Sequence, residues 1–316
     1  MTFPSAVKSG VVEATRHPVD WLLALVVSWL VPLELLGNHA TYFSSLLFWG
    51  VPIVTLFPRF LWLTDEGAKR RRRAFWWTTL YVFIAGTVLD LVLGIFVLDF
   101  SSDDRAYVWR LPFGQRIPIE EFLFYLLGGM AVILVYFWAD EFWMRAYHVR
   151  DRRWNDELFA GSFKLVNVSS TAAIWAITFV VAGIAIQWRF TRRVWPLTWY
   201  YTFLVFVAFL PAILVYRSMK RVINWRAFSF TCLYVLVTSC IWEVTLGLSR
   251  SWWFYKKPNG VLGWYIPAFT SPAGPQYPIE ALLVWLAVTF DAVLAFEALK
   301  AITHDRRSVR ETAFGP

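Results

Sequence analysis

Apolar runs of about 20 residues recur along this chain, and they constrain its fold more than any other feature. A helix needs roughly 20 apolar residues to cross the hydrocarbon core of a bilayer. A transmembrane β-barrel would instead show weak alternation in segments of about ten residues. The sequence therefore predicts an all-α integral membrane protein with about eight transmembrane helices. The predicted spans are approximately residues 20–37, 42–58, 74–98, 119–139, 170–187, 197–215, 227–248 and 280–300.

The distribution of charge supports a membrane protein and predicts its orientation. Charged residues make up 16% of the chain, against about 25% in soluble domains. The net charge of +8 comes from basic runs between apolar segments, which set topology and do not indicate a nucleic-acid partner. The positive-inside rule predicts a multi-pass protein with cytoplasmic N- and C-termini, and we expect it in the cell membrane. The runs on the cytoplasmic side are 69–73, 145–153, 220–226 and 306–310, whereas Arg189, Arg192, Arg193, Lys256 and Lys257 fall outside.

One segment of the sequence occurs twice. Residues 73–82 and 226–235 are identical at seven of ten positions, and each copy is followed eight residues later by an acid, Asp90 or Glu243. A glycine follows each acid by four residues, as Gly94 and Gly247. Self-similarity of this kind indicates an internally duplicated protein.

The duplication extends further and predicts the domain organisation. Pro-Ile-Glu at 118–120 recurs at 278–280, and each copy contributes an even number of spans. The copies therefore run parallel rather than inverted. The predicted organisation is a first repeat at 1–139 with an extra span at 20–37, a charged cytoplasmic linker at 140–169, and a second repeat at 170–316.

The spacing of four acids places them at one depth. In both copies the arginine and the acid are 17 residues apart, which is about 25 Å of helix. With the arginines at the cytoplasmic surface of a ~30 Å core, Asp90 and Glu243 lie just inside the far boundary. Glu120 and Glu280 open the next long span from that same side. Acids within membrane segments are expensive and usually functional, so the four predict a site.

The two pairs of acids differ in their surroundings. Asp90 and Glu243 stand among Leu, Val and Ile, where the ionised form of a carboxyl group is disfavoured. Glu120 and Glu280 fall in the first turn of a helix, where the dipole favours the anion. One protonated acid beside one carboxylate is what acid–base chemistry needs. The alternative role for Asp90 and Glu243 is structural, as partners in an interhelical hydrogen bond or salt bridge. Gly94 and Gly247 either leave room for a ligand or serve close helix packing.

Several kinds of chemistry have no motif in the chain. Neither GxGxxG nor a P-loop occurs, so no nucleotide cofactor is predicted. The four histidines are scattered near span ends and predict no metal cluster. Cys232 and Cys240 lie two turns apart in one predicted helix, too distant for a disulfide. We therefore expect neither a cofactor nor a metal.

The motif residues carry a family resemblance. A basic residue opening a helix, an acid 17 residues later, and then Pro118-Ile119-Glu120-Glu121-Phe122-Leu123-Phe124-Tyr125 together resemble the lycopene cyclase domain. This is an integral-membrane carotenoid cyclase of the heterodimeric bacterial type, and the tandem arrangement is similar to its fused form. The resemblance covers about 42–139 and 197–300. It implies proton-initiated closure of a β-ring on lycopene, or a related polyene hydrocarbon, taken from the lipid phase.

The resemblance also implies roles for individual residues. The catalytic positions that it carries over are Asp90, Glu120, Glu121, Glu243 and Glu280. We expect Asp90 and Glu243 to donate protons and Glu120 and Glu280 to act as bases or cation stabilisers, although the opposite assignment is also open. Tyr125 and Trp242 are placed near the cation, because aromatic faces stabilise a desolvated cation by about 2 kcal/mol or more. The substrate-binding set is Tyr125, Trp242, Gly94 and Gly247.

The second copy of the motif departs from the first. It reads Pro278-Ile279-Glu280-Ala281-Leu282-Leu283, so the second acid and the adjoining aromatic residue are lost. We therefore interpret the repeats as one composite site, with its proton chemistry in the first repeat. The alternatives are another membrane terpene cyclase acting on a prenyl chain, or a proton-coupled transporter with buried acids in parallel repeats.

Overall fold

The protein is built mainly of apolar helices. The computed structural model describes residues 26, 29–30, 41–64, 67–100, 107–110, 116–148, 163–191, 198–255, 260–267, 276–304 and 308–315. Its helices are α1 (Leu47–Trp62), α2 (Ala68–Leu89), α3 (Ile119–Trp138), α4 (Ser170–Thr191), α5 (Trp199–Leu204), α6 (Leu210–Met219), α7 (Trp225–Trp242), α8 (Ile279–His304) and α9 (Val309–Phe314). A single helical turn, Tyr42–Ser45, precedes α1.

Within the described ranges, six helical segments are long and apolar enough to cross a membrane. They are Tyr42–Trp62, Ala68–Val92, Ile119–Trp143, Trp199–Met219, Trp225–Leu248 and Ile279–Thr303. An all-α, multi-pass architecture is thus supported, while the count of eight stays a prediction. The apolar part of α4, Ser170–Ile186, is shorter. The predicted span at 20–37 lies almost wholly outside the described residues, although Trp29 donates a hydrogen bond to Thr238 at 2.9 Å.

Four of the helices change their hydrogen bonding from the α to the π pattern. The π-helical stretches are Asp90–Gly94, Ala139–Trp143, Val205–Phe209 and Glu243–Leu248. Two of them therefore begin at the acids that the repeated segment singles out. Single π turns inside helices are frequent at functional sites.

Short strands occupy segments that the sequence left without secondary structure. β1 (Leu98–Phe100) pairs antiparallel with β4 (Trp253–Tyr255), and β2 (Tyr107–Arg110) pairs with β3 (Arg116–Pro118). The pairing of β1 with β4 ties the segment after α2 to the segment after α7. It brings the ends of the two acid-bearing helices together.

Two long helices form the centre of the packing. Helix α3 packs against α1, α2, α7 and α8, and α8 also packs against α2, α6 and α7. Residues 131–138 of α3 are almost completely buried. Pro118 caps α3 in an extended conformation, so that Glu120 falls in the first turn as the sequence predicts, and Glu121 lies in the same turn. The centre of the protein is therefore formed by the two helices that follow the Pro-Ile-Glu motifs.

Candidate active site

A cavity of about 140 Å³ lies among α2, α3, α5, α7 and α8. Three of the five predicted catalytic acids, Asp90, Glu121 and Glu243, line it. All three side chains are buried. Most of the remaining wall is aromatic or aliphatic, so the carboxyl groups face an apolar space.

Glu121 connects the acids from both halves of the chain. Its Oε1 accepts a hydrogen bond from the hydroxyl of Tyr42, which lies in the turn before α1. Glu121 is close enough to Asp90, Glu120 and Glu243 to interact with each of them electrostatically. The first turn of α3 therefore presents the central carboxyl group of a cluster.

Asp90 stands where α2 passes into its π-helical stretch. The phenol of Tyr125, one turn after Glu121 on α3, is its hydrogen-bonding partner. The Tyr125 ring also fills the space beside Gly86, where a Cβ atom would collide with it. Tyr125, predicted to contact substrate, thus both lines the cavity and holds an acid.

Glu243 differs from the other two acids because both of its oxygens accept hydrogen bonds. Tyr255 on β4 donates to Oε2 at 2.6 Å, and the indole N–H of Trp285 on α8 donates to Oε1 at 2.5 Å. Burial, reinforced by the charge of Glu243, raises the pKa of the Tyr255 hydroxyl well above its ordinary value. Tyr255 therefore remains protonated and a hydrogen-bond donor.

The two acids of the Pro-Ile-Glu motifs lie beside the cavity and do not line it. Glu280 is fully buried, and its Oε1 accepts a hydrogen bond from the backbone N–H of Leu262 at 2.5 Å. Oε2 of Glu120 and Oε2 of Glu280 have no hydrogen-bond partner among the described residues. Glu280 thus anchors the segment 260–267 to the start of α8.

Aromatic rings enclose the space next to the acids. Trp242 stacks on Phe124 with ring centroids 5.0 Å apart, and Trp285 stacks on Trp49 at 5.1 Å. The Trp242 indole N–H donates to Ser45 Oγ at 2.9 Å. Trp253 lies 5.1 Å from Trp242 and completes this wall. Trp242, which the sequence analysis expects near the cation, is among the residues that line the cavity.

The two predicted glycines occupy different environments. A Cβ atom at Gly247 would overlap the ring of Trp253, so this glycine makes room for an indole of the aromatic wall. Gly94 ends the π-helical stretch that begins at Asp90. Gly247 is not among the residues that line the cavity.

Several site residues were not predicted from the sequence. The hydrogen-bond donors to Glu121 and Glu243 are Tyr42, Tyr255 and Trp285. They come from separate elements that only the tertiary structure brings together. Asp291 also lines the cavity. The sequence contained a signal for Asp291 as a site residue, because it is an ionisable residue inside the predicted span at 280–300.

A second polar cluster lies at the opposite ends of the helices. Asp140, Glu141 and His148 present ligand atoms within 4.8 Å of one another. His148 Nδ1 lies 2.9 Å from Asp140, while Arg71 lies 3.6 Å from Glu141. Because cationic groups already face these carboxylates, we interpret the cluster as an ionic network.

Comparison with known proteins adds no assignment. No protein-family model matches the chain, and no curated protein or solved structure is significantly similar to it. The resemblance to the lycopene cyclase domain therefore rests on the repeated motif and its spacing, and it stays a prediction.

Proposed function

We propose that the protein is a carotenoid end-group cyclase of the lycopene β-cyclase type, which closes a ring without net redox change. One observation carries this proposal: Asp90, Glu121 and Glu243 line a single cavity whose other walls are mainly aromatic and aliphatic. A polyene hydrocarbon requires apolar walls, and proton-initiated cyclisation requires an acid and a base at the reacting end. The proposal includes uptake of the substrate from the lipid phase.

The hydrogen bonds support different roles for the acids. Both oxygens of Glu243 accept bonds from donors, and an indole N–H can only donate. This environment suits a carboxylate, so we assign proton acceptance to Glu243. Asp90 and Glu121 each have a phenol partner, and we assign proton donation to this pair. The assignment differs from the sequence-based expectation, in which Asp90 and Glu243 act alike.

The proposed reaction balances within the substrate and these groups. A carboxyl proton adds to the terminal double bond, whose electron pair forms the new C–H bond and leaves a tertiary cation. The neighbouring double bond supplies the electrons of the ring-closing bond. A proton then leaves a ring carbon for the Glu243 carboxylate, and the electrons of that C–H bond become the ring double bond. The ring faces of Trp242 and Trp285 stabilise the cation. Glu121 interacts with both Asp90 and Glu243, so it connects the proton acceptor Glu243 to the proton donor Asp90.

Expression in cells that accumulate lycopene tests this proposal. The wild-type protein should convert lycopene to a monocyclic or bicyclic carotene, as measured by chromatography of extracted pigments. Asp90→Asn and Glu121→Gln should abolish conversion while the protein remains in the membrane, because each removes a transferable proton. Asp99→Asn is the matched control, since Asp99 is exposed on β1.

Two results would contradict the proposal at different levels. Unchanged lycopene with well-expressed wild-type protein would exclude lycopene cyclisation, and a screen of prenyl chains would then test the broader terpene cyclase alternative. Conversion by both carboxamide variants would exclude the proton donors. A proton-coupled transporter would instead leave pigments unchanged and move protons across reconstituted vesicles when its substrate is added.

The tandem organisation belongs to the same proposal. In each half a helix passes into a π-helical stretch at its acid, and a short strand follows. These similarities support two parallel repeats that contribute to one composite site. We also keep the eight-span topology in the cell membrane, with both termini cytoplasmic, as part of the proposal.

A further inference from the structure

A fourth carboxyl group lines the cavity at a different depth from the other three. Asp291 on α8 is 8% exposed, and its Oδ2 accepts a hydrogen bond from the hydroxyl of Tyr81 on α2 at 2.9 Å. Asp291 follows Trp285 by six residues, which corresponds to about 9 Å along the helix axis. The pair therefore lies farther towards the middle of the helices than the carboxyl cluster.

The proposed acid–base chemistry does not use this pair. Trp285 contacts Glu243 directly, so it lies at the same position along the helix axes as that acid. Asp291 is too far along α8 to reach the substrate carbon atoms that react beside Glu243. The duplication does not account for it either. When the two Pro-Ile-Glu motifs are aligned, Ala131 stands where α8 has Asp291, and Ala131 is completely buried. The carboxyl group is therefore particular to one half of the site.

A carboxyl group in an apolar membrane segment requires a compensating interaction. Asp291 obtains one from Tyr81, and it also borders the cavity, where Val132, Val207 and Val288 form apolar walls. A ligand that placed a hydroxyl group there would add a hydrogen bond in a site shielded from water. An unsubstituted hydrocarbon would not form that hydrogen bond with the Asp291 carboxyl group.

We propose that Asp291, held by Tyr81, is a binding site for a hydroxyl group on the polyene ligand, about 9 Å from the ligand end that lies beside Glu243. The inference rests on the proposed function only for the polyene class of the ligand. It identifies a polyene alcohol as a ligand class that the cavity binds more tightly than the matching unsubstituted hydrocarbon, which it still accepts.

Binding of two matched probes tests this inference without measuring catalysis. The full-length protein in lipid nanodiscs is titrated with all-trans-retinol and with axerophtene, the hydrocarbon that lacks the hydroxyl group. Binding is measured as energy transfer from tryptophan to the polyene, with empty nanodiscs to correct for partitioning. The wild-type protein should bind the alcohol about tenfold more tightly than the hydrocarbon, as expected for one additional buried hydrogen bond.

Variants separate ligand recognition from a helix-to-helix contact. Asp291→Leu should remove the preference for the alcohol and retain the affinity for the hydrocarbon, whereas Asp99→Leu, the same change at an exposed acid, should leave the preference unchanged. Tyr81→Phe keeps the carboxyl group and should keep a preference. Asp291→Ala, which likewise leaves no hydrogen-bonding group for the alcohol, provides a second variant if the leucine variant does not fold.

Each contrary result has a distinct meaning. Equal affinities of the wild-type protein for the two probes would overturn this inference and leave the proposed cyclase intact. An alcohol preference that persists in Asp291→Leu or, if that variant does not fold, in Asp291→Ala would also overturn it, and Asp291 and Tyr81 would then only join α2 to α8. Absence of binding by either probe, together with unchanged lycopene in cells, would overturn the proposed function as well.

Discussion

Some residues at the site only pack against their neighbours, whereas others donate a hydrogen bond to an acid. Two stacked indoles make this difference testable. Trp49 and Trp285 stack on each other, but only Trp285 donates its N–H to Glu243. Trp285→Phe should lower the rate of carotene formation about tenfold or more, because a hydrogen bond to a charged group contributes roughly 1.5–3 kcal/mol. The rate is measured by pigment chromatography and normalised to membrane protein.

Trp49→Phe is the matched control for this prediction. Trp49 Nε1 has no hydrogen-bond partner among the described residues, so the change removes ring area and no contact with Glu243. Its rate should stay within about threefold of the wild-type value. Equal losses in the two variants would mean that the stack matters only for packing, and Glu243 would lose its assignment as an oriented base.

Among the single residues of the site, the sequence indicated some and missed others, and the reasons are physical. Asp90 and Glu243 were identified because a carboxyl group in an apolar run is costly, and Glu121 because it extends a repeated motif. Tyr42 and Tyr255 belong to the same site, but a tyrosine near a span end is ordinary in a membrane protein. Their roles depend on contacts between elements distant in the chain, which local patterns do not contain.

Among the elements, the pairing of β1 with β4 determines how the two halves meet. The sequence predicted the long helices because 20-residue apolar runs are a strong signal. It did not predict these strands, since three residues are too few to show alternation. Their register places Asp99 opposite Phe254, and both side chains are exposed. The strand that carries Tyr255, a donor to Glu243, is thus positioned by the other half of the protein.

A cross-strand disulfide should test this register. Directly opposite residues in an antiparallel pair have Cα atoms about 4.5–5.5 Å apart, which is within the range that a disulfide spans. Asp99→Cys combined with Phe254→Cys should therefore crosslink under mild oxidation and change mobility on a non-reducing gel. Asp99→Cys with Tyr255→Cys is the control, because a one-residue shift turns the side chain to the other face. Preferential crosslinking of the control pair would contradict the register.

For the molecule as a whole, the helices carry polar groups at both ends, and the two ends differ in kind. At the cavity end, acids face aromatic rings. At the opposite end, Lys300 pairs with Glu297 at 2.8 Å within α8, and the neutral amide of Asn224, which caps α7, donates to Asp140 at 2.9 Å. Asp140 belongs to the helical segment that starts at the first motif, and Asn224 belongs to the second half of the chain. The ionic network therefore joins the halves on the side away from the cavity.

This network predicts a dependence of stability on pH through His148, which lies beyond the end of the span Ile119–Trp143. Burial alone would lower the pKa of His148, and Lys300 also lowers it, but the adjacent carboxylate of Asp140 and the charge of Glu141 outweigh them and raise it above 6.5. The folded state therefore holds the proton more tightly than the unfolded state. The resulting stabilisation is complete below about pH 6.5 and is lost as the pH rises through the raised value.

The melting temperature, followed by tryptophan fluorescence in detergent, should show this loss. For the wild-type protein it should exceed that of His148→Gln by a few degrees near pH 6, and the difference should shrink towards zero at about pH 9. The difference between the proteins matters, since the absolute melting temperature also responds to every other titrating group. A constant difference across this range would mean that His148 contributes only neutral contacts. Because the cavity acids lie at the other end of the helices, carotene formation by His148→Gln at a temperature well below melting should match that of the wild-type protein.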